Sequence, residues 1–190
     1  VLNTPQEKRQ KTLDEQLAAF AYVNGKLFAE RLSIPDFDAG MRTALLDAAA
    51  LDWGLISPAI FGGLFQSIMD PKARRNLGAH YTSEENILKL IKPLFLDELW
   101  AEFEKVKSNK NKLFEFQKKL SRLTFLDPAC GCGNFLVISY RELRRLEIDV
   151  LRAAEKLGQR WGNLPIEVDV DQFYGIEIEE FPAQVAQVAM

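Results

Sequence analysis

Two carboxylates and two glycines mark the stretch of this sequence where chemistry could be done. Asp127 follows the apolar run LTFL and precedes Pro128, Gly131 and Gly133 come next, and Glu177 stands in YGIEIEE, 50 positions after Asp127. Glycine has no Cβ, so a loop that carries it lets the main chain come close to a bound molecule. A carboxylate at the end of a neighbouring strand can accept hydrogen bonds from both hydroxyls of a ribose, with Ile178 placed to pack against an adenine. A nucleotide-like ligand is implied, but without the means to cradle its phosphates. The third glycine of a dinucleotide fingerprint would fall on Leu136, and no Gly-Lys-Ser/Thr closes the loop. Cys130 and Cys132, the only cysteines, are one glycine apart, too close for an ordinary disulfide and too few for a zinc site, and read as small loop fillers. His80, the only histidine, reads as a loop hydrogen-bonding residue rather than a catalytic base.

Stepping outward, the elements needed to hold these residues can be placed by periodicity. Leu123 to Leu126 predicts a short buried strand ending at Asp127, and Asn134 opens a long helix with Leu136, Leu143, Leu146 and Leu151 on one face. A second strand is expected at Gln172–Glu177, and Pro182 opens a further helix. Strand, glycine loop, helix, strand and helix in succession predict an α/β fold, the beginning of a doubly wound sheet in which ligands lie beyond the carboxyl ends of the strands. Upstream, Ser83 caps a helix carrying Ile87, Leu90, Leu94, Phe95 and Leu99, with a kink at Pro93, and a polar stretch from Lys105 to Lys112 leads into a short helix with Leu113, Phe116 and Leu120. Residues 1–75 read as a helical region of three amphipathic helices: Glu7 to about Arg31, Asp36 to about Gly54, and one after Ser57 with Ile60, Phe61, Leu64, Phe65 and Ile68 as its buried set. Residues 76–190 form the ligand-binding part.

A chain of 190 residues, 47% hydrophobic and 27% charged, fits a globular protein with a real core. No apolar run approaches the ~20 residues that a spanning helix needs, so a cytoplasmic protein with no membrane partner is expected. The formal net charge of -3 gives no global attraction to nucleic acid. Local basic clusters, Lys72, Arg74 and Arg75, then Lys105 to Arg122, are read first as solvated helix faces. Phe61, Phe65, Phe114 and Phe116 are expected in the core rather than as base-stacking platforms.

The segments GAHYTS (Gly78–Ser83), LDPACGCGNFL (Leu126–Leu136) and YGIEIEEFPAQVAQVA (Tyr174–Ala189) together resemble the opening of the class I, gamma-type DNA adenine N6-methyltransferases. The likeness is strongest to large bacterial restriction-modification enzymes that join methyltransferase and other functions in one polypeptide. In that family the three segments are motifs X, I and II of a Rossmann-like domain that holds S-adenosyl-L-methionine. The resemblance implies that Tyr81 and Thr82 lie against the methionine end of the cofactor. Asp127 would order the loop and meet the amino group, and Ala129, Gly131 and Asn134 would line the pocket with backbone groups. Pro128, Cys130, Gly133 and Phe135 complete the same loop, Glu177 would hold the ribose and Ile178 would cover the adenine. The family transfers the methyl group with an Asn-Pro-Pro-aromatic motif that grips the flipped adenine. None of the eight prolines here sits in such a motif, so no catalytic residue is assigned. The chain is expected to be the N-terminal part of a longer enzyme that acts on double-stranded DNA in restriction-modification or phage defence, inactive alone and able at most to bind cofactor. Two alternatives stay open: an N-methyltransferase of RNA or of protein glutamine, and a non-catalytic interaction module, prone to self-association along the edge of its unfinished sheet.

Overall fold

The structure, a computed structural model, describes residues 2, 4–22, 33, 36–56, 60, 63, 64, 67, 82–158 and 165–190. The chain divides into two compact units, Val1–Pro58 and Ala59–Met190.

In the first unit, the expected helix from Glu7 is broken. A 3-10 turn at Gln6–Lys8 is followed by α1 (Glu15–Ala19), whose Asp14 cap accepts hydrogen bonds from the Gln16 and Leu17 N–H groups and whose chain turns extended at Phe20. The remainder of that expected helix, residues 23–31, lies outside the described residues. Asp38 caps α2 (Ala39–Ala49) through the Met41 N–H at 2.7 Å, so the second expected helix starts two residues later than Asp36 and ends at Ala49, its expected end at Trp53 and Gly54 falling in a separate 3-10 turn, Trp53–Leu55. Its apolar residues Met41, Leu45 and Leu46 are exposed, because no described element of this unit covers them.

The second unit holds the core. Of the expected third helix only Ile60, Gly63, Leu64 and Ser67 are described, and Ile60 and Leu64 are exposed rather than buried. The Ser83 hydroxyl accepts from the Asn86 N–H to start α3 (Glu84–Ile91), and Glu84 and Glu85 sit at the positive end of its dipole. Pro93 has no N–H to give to the ladder. The helix accommodates it with one π-helical turn over Lys92–Leu96 before α4 (Asp97–Val106) resumes. Asn109 caps α5 (Lys110–Leu120), so the polar stretch shrinks to a three-residue turn.

Then β1 (Phe125–Asp127) leads through the glycine loop into α6 (Asn134–Lys156), and the chain returns to β2 (Phe173–Gly175) and α7 (Glu180–Ala189). The two strands are parallel, in the register Phe125 to Phe173, Leu126 to Tyr174 and Asp127 to Gly175. Opposite Phe125 and Phe173 stack with ring centroids 5.0 Å apart, and Phe95 and Tyr140 close on them from α3's continuation and from α6. This aromatic group joins a core of Leu99, Phe103, Leu113, Phe116, Leu120, Leu143, Leu146 and Val150. A second cluster, Ile87, Ile91 and Ile138 with Phe135 beside them, fixes α3 to the first turns of α6. The other face of the sheet is open. Leu126 is 62% exposed, and Tyr174 and Ile176 are exposed with it, so β1 is covered on one side only instead of being a fully buried strand. No described helix is long and apolar enough to cross a membrane.

Candidate functional site

The carboxyl ends of both strands open onto the glycine loop. Asp127 is the last residue of β1, and its Oδ1 accepts a hydrogen bond from the Ala129 N–H at 3.1 Å, which turns the chain at Pro128. The pairing of the strands continues past their regular ends: the Ile176 N–H donates to the Asp127 carbonyl at 2.9 Å, and the Cys130 N–H donates to the Ile176 carbonyl at 3.0 Å. This lateral bonding brings Glu177 to the loop. Its Oε2 accepts from the Gly131 N–H at 2.8 Å while Oε1 accepts from the Glu179 N–H at 2.9 Å. Each carboxylate oxygen keeps lone-pair capacity for a further donor. Asp127 and Glu177 are thus brought to the two sides of one loop. Ile178, one residue on, is 89% exposed.

The glycines divide the work. Gly131 has φ 54°, and nothing lies within 4 Å of where a Cβ would stand, so the space above the loop is open. Gly133 has φ 81°, but there a Cβ would lie 3.0 Å from the Ala186 Cβ. Its missing side chain makes room for α7 rather than for a ligand, a change from the expectation that both glycines serve close approach to a bound molecule. Gly133 also stands at the N-cap of α6 without a side-chain cap, so the first-turn N–H groups of Asn134 and Phe135 have no capping oxygen from a side chain.

Cys130 and Cys132 are free thiols. Burial pushes the Cys130 thiol above its ordinary value, and the Asp127 and then the Glu177 carboxylates push it the same way; burial and then Glu177 do so for Cys132. Protonated thiols are poor nucleophiles and poor ligands, consistent with loop filling. Thr82 is partly buried just ahead of the Ser83 cap. The helix it leads into is tied to α6 by the Ile87, Ile91 and Ile138 cluster and by Arg141, which donates to Glu84 Oε1 at 2.6 Å. Tyr81, His80, the Lys72–Arg75 cluster, Phe61 and Phe65 lie outside the described residues. In the second basic stretch, Lys107 pairs with Glu104 and Lys119 with Glu102, and Phe116 is buried. Among the described residues no group of three or more His, Cys, Asp or Glu could hold a metal ion.

Three supports escaped the sequence reading. Gly175 has a Cβ position 2.6 Å from the Cys130 Sγ, so only glycine lets β2 lie so close to the loop. Glu147 and Gln172 are buried polar residues that bond the segment entering β2. A carboxylate in the apolar stripe of α6, between Leu146 and Val150, was the available signal for Glu147.

A strand, a glycine loop, a helix and a parallel strand with an acidic residue at each strand end form the ligand-binding edge of a doubly wound nucleotide-binding fold. Residues 103–190 match the family of MmeI DNA-methyltransferase domains. The chain is 42% identical over 175 residues to DNA methyltransferase A of Bacillus subtilis, across 92% of this chain and 20% of that protein. It is 24% identical over 245 residues to a putative type II restriction enzyme and methyltransferase of Methanocaldococcus jannaschii, across all of this chain and 20% of that protein. A solved structure of the type IIL restriction-modification enzyme MmeI in complex with DNA is 72% identical, with a TM-score of 0.82 over 99% of this chain and 25% of that one. Over residues 103–190 the chain is similar to MmeI-type DNA-methyltransferase domains, and it spans about a fifth to a quarter of the length of the relatives it matches.

Proposed function

We propose that this chain is the S-adenosyl-L-methionine-binding portion of a site-specific DNA methyltransferase that modifies adenine N6 in restriction-modification or phage defence. The observation that carries the reading is the meeting of Glu177 with the Gly131 N–H at 2.8 Å beside Asp127, which sets two carboxylates around one open glycine loop. The residues present fit the cofactor. A ribose needs a carboxylate with spare lone pairs, which Glu177 has; an adenine needs an uncovered apolar side chain, which Ile178 has. A methionine end needs an anion for its ammonium and donors for its carboxylate. Asp127 offers the first, and Thr82 with the uncapped first turn of α6 offers the second. No phosphate-binding sequence is required, and none is found.

When bound, the cofactor supplies an activated methyl group. The chain's own part is to hold and orient it: Glu177 and Ile178 at the nucleoside, Asp127, Ala129, Gly131 and Asn134 around the loop, and Tyr81 and Thr82 at the amino-acid end. The Asn-Pro-Pro-aromatic motif that grips the target adenine in this family is not among these 190 residues, which span a fifth to a quarter of their relatives' length. The doubly wound sheet of this class is then completed by strands pairing at the edges of β1 and β2, with helices covering their open face.

Titration calorimetry of the full gene product with S-adenosyl-L-methionine tests the proposal. Binding lost on combining Asp127→Ala with Glu177→Ala is expected. A folded double variant that binds as the natural protein does overturns it.

A further inference from the structure

We infer that Gln172 is a positioning residue for Glu177, and through it for the ribose end of the ligand; this rests on the cofactor reading just given. Gln172 is 5% exposed, and three of the four hydrogen-bonding positions of its amide are used, both N–H groups among them. The amide nitrogen donates to the Leu120 and Leu123 carbonyls, both at 2.8 Å, and the amide oxygen accepts from the Asp169 N–H at 2.9 Å. Leu120 ends α5 and Leu123 lies two residues before β1. One side chain therefore joins the approach to β1 to the approach to β2.

The join matters because the ladder it precedes is short. The strands pair over three residues, and the bonds that place Glu177 follow directly from that register, through Ile176 to Asp127 and Cys130 to Ile176. A slip of one residue would move Glu177 by about 3.3 Å and turn Phe173 out of the core. Farther upstream the same run is tied again. Glu147 is fully buried, pairs with Arg144, and accepts from the Glu167 and Val168 N–H groups at 2.6 and 3.1 Å, while the Gln117 amide donates to the Pro165 carbonyl at 2.8 Å. The segment is held at 165–168 by Gln117 of α5 and Glu147 of α6 and again by the side chain of Gln172, so these three residues set the position of β2.

A residue that only stabilised the fold would weaken every ligand alike when removed. A residue that positions Glu177 must act on the ribose hydroxyls. The full gene product, with Gln172→Ala and Glu177→Ala variants, is titrated with S-adenosyl-L-methionine and with its analogue lacking the ribose 2′-hydroxyl. The natural protein should bind the analogue about tenfold more weakly, the loss of one hydrogen bond to a charged group. In Gln172→Ala, cofactor affinity should fall about tenfold and the penalty for the missing hydroxyl should shrink toward none, as in Glu177→Ala. An unchanged affinity, or a loss that leaves the hydroxyl penalty at its natural value, overturns the inference while leaving the cofactor reading intact. A Glu177→Ala variant that binds both ligands like the natural protein overturns the cofactor reading itself. If Gln172→Ala does not fold, Gln172→Asn is read by the same two titrations, since it keeps the amide but is one methylene too short to reach both carbonyls.

Discussion

Gly175 has no room for a side chain. A methyl group there would stand 2.6 Å from the Cys130 sulfur and 3.1 Å from both the Cys130 Cβ and the Leu136 Cδ1, so β2 and the loop would have to separate. Gly175→Ala should cost about 1–3 kcal/mol in chemical denaturation. It should also weaken S-adenosyl-L-methionine binding in calorimetry, because Glu177 rides on the displaced strand end. The thiols give a second prediction at this scale. The raised values of Cys130 and Cys132 favour the protonated form in the folded protein. Their contribution to stability is full below the ordinary thiol range and is lost as pH climbs through the raised folded values. Alkylation of the native protein should therefore be slow at neutral pH and accelerate only in alkaline buffer, later than for the denatured chain; equal rates in the two states would count against it. At this scale the sequence was most readable where a residue type has a single use. Asp127 and Glu177 were recognisable because a strand end followed by a glycine loop is a pattern in the local chain. Gly175, Glu147 and Gln172 were not, since their partners lie far away in sequence and nothing local says which carbonyl or sulfur they will face.

At the scale of the element, α3 is held to α6 mainly by packing. Ile87 is completely buried against Ile91 and Ile138, and Ile87→Ala should destabilise the protein by about 2–5 kcal/mol. The ion pair of Arg141 with Glu84 is partly exposed, so Arg141→Ala should cost only about 0.5 kcal/mol and lose even that at high salt. Thermal melts of the two variants across ionic strength check the ranking. Helices were legible where apolar periodicity and a cap coincide, as at Ser83, and along α6, whose Leu136, Leu143, Leu146 and Leu151 are all buried as expected. The helix from Glu7 failed on the same test: its apolar residues recur at helical spacing, but Asp14 caps a new start and Phe20 turns extended. Periodicity alone does not show where the chain restarts. The expected first strand begins two residues before β1, and the expected second strand begins one residue before β2 and ends two residues after it.

For the whole molecule, the balance of charge and of covered surface is what decides behaviour. With a formal net charge of -3, and Lys107 and Lys119 in the second basic stretch paired with acids, the chain as a whole offers no global attraction to a polyanion. Likewise the open sheet face, Leu126, Tyr174 and Ile176, needs a cover. Residues 1–190 produced by themselves should associate with rising concentration in sedimentation velocity, and Ile176→Lys should suppress it; a monomer at all concentrations would contradict the expectation. Neither feature could be read from periodicity, because LTFL looks the same whether one face of its strand is covered or two.

The double anchoring of the run into β2 has a further consequence. Since Glu147 and Gln117 seize the chain at 165–168 before the strand begins, residues can be added between Gly158 and Pro165 without passing any displacement on to Glu177. Doubling the length of such a connection costs only about 0.6 kcal/mol of closure entropy. Lengthening the return between Gly158 and Pro165 by several residues should therefore leave S-adenosyl-L-methionine affinity in calorimetry unchanged.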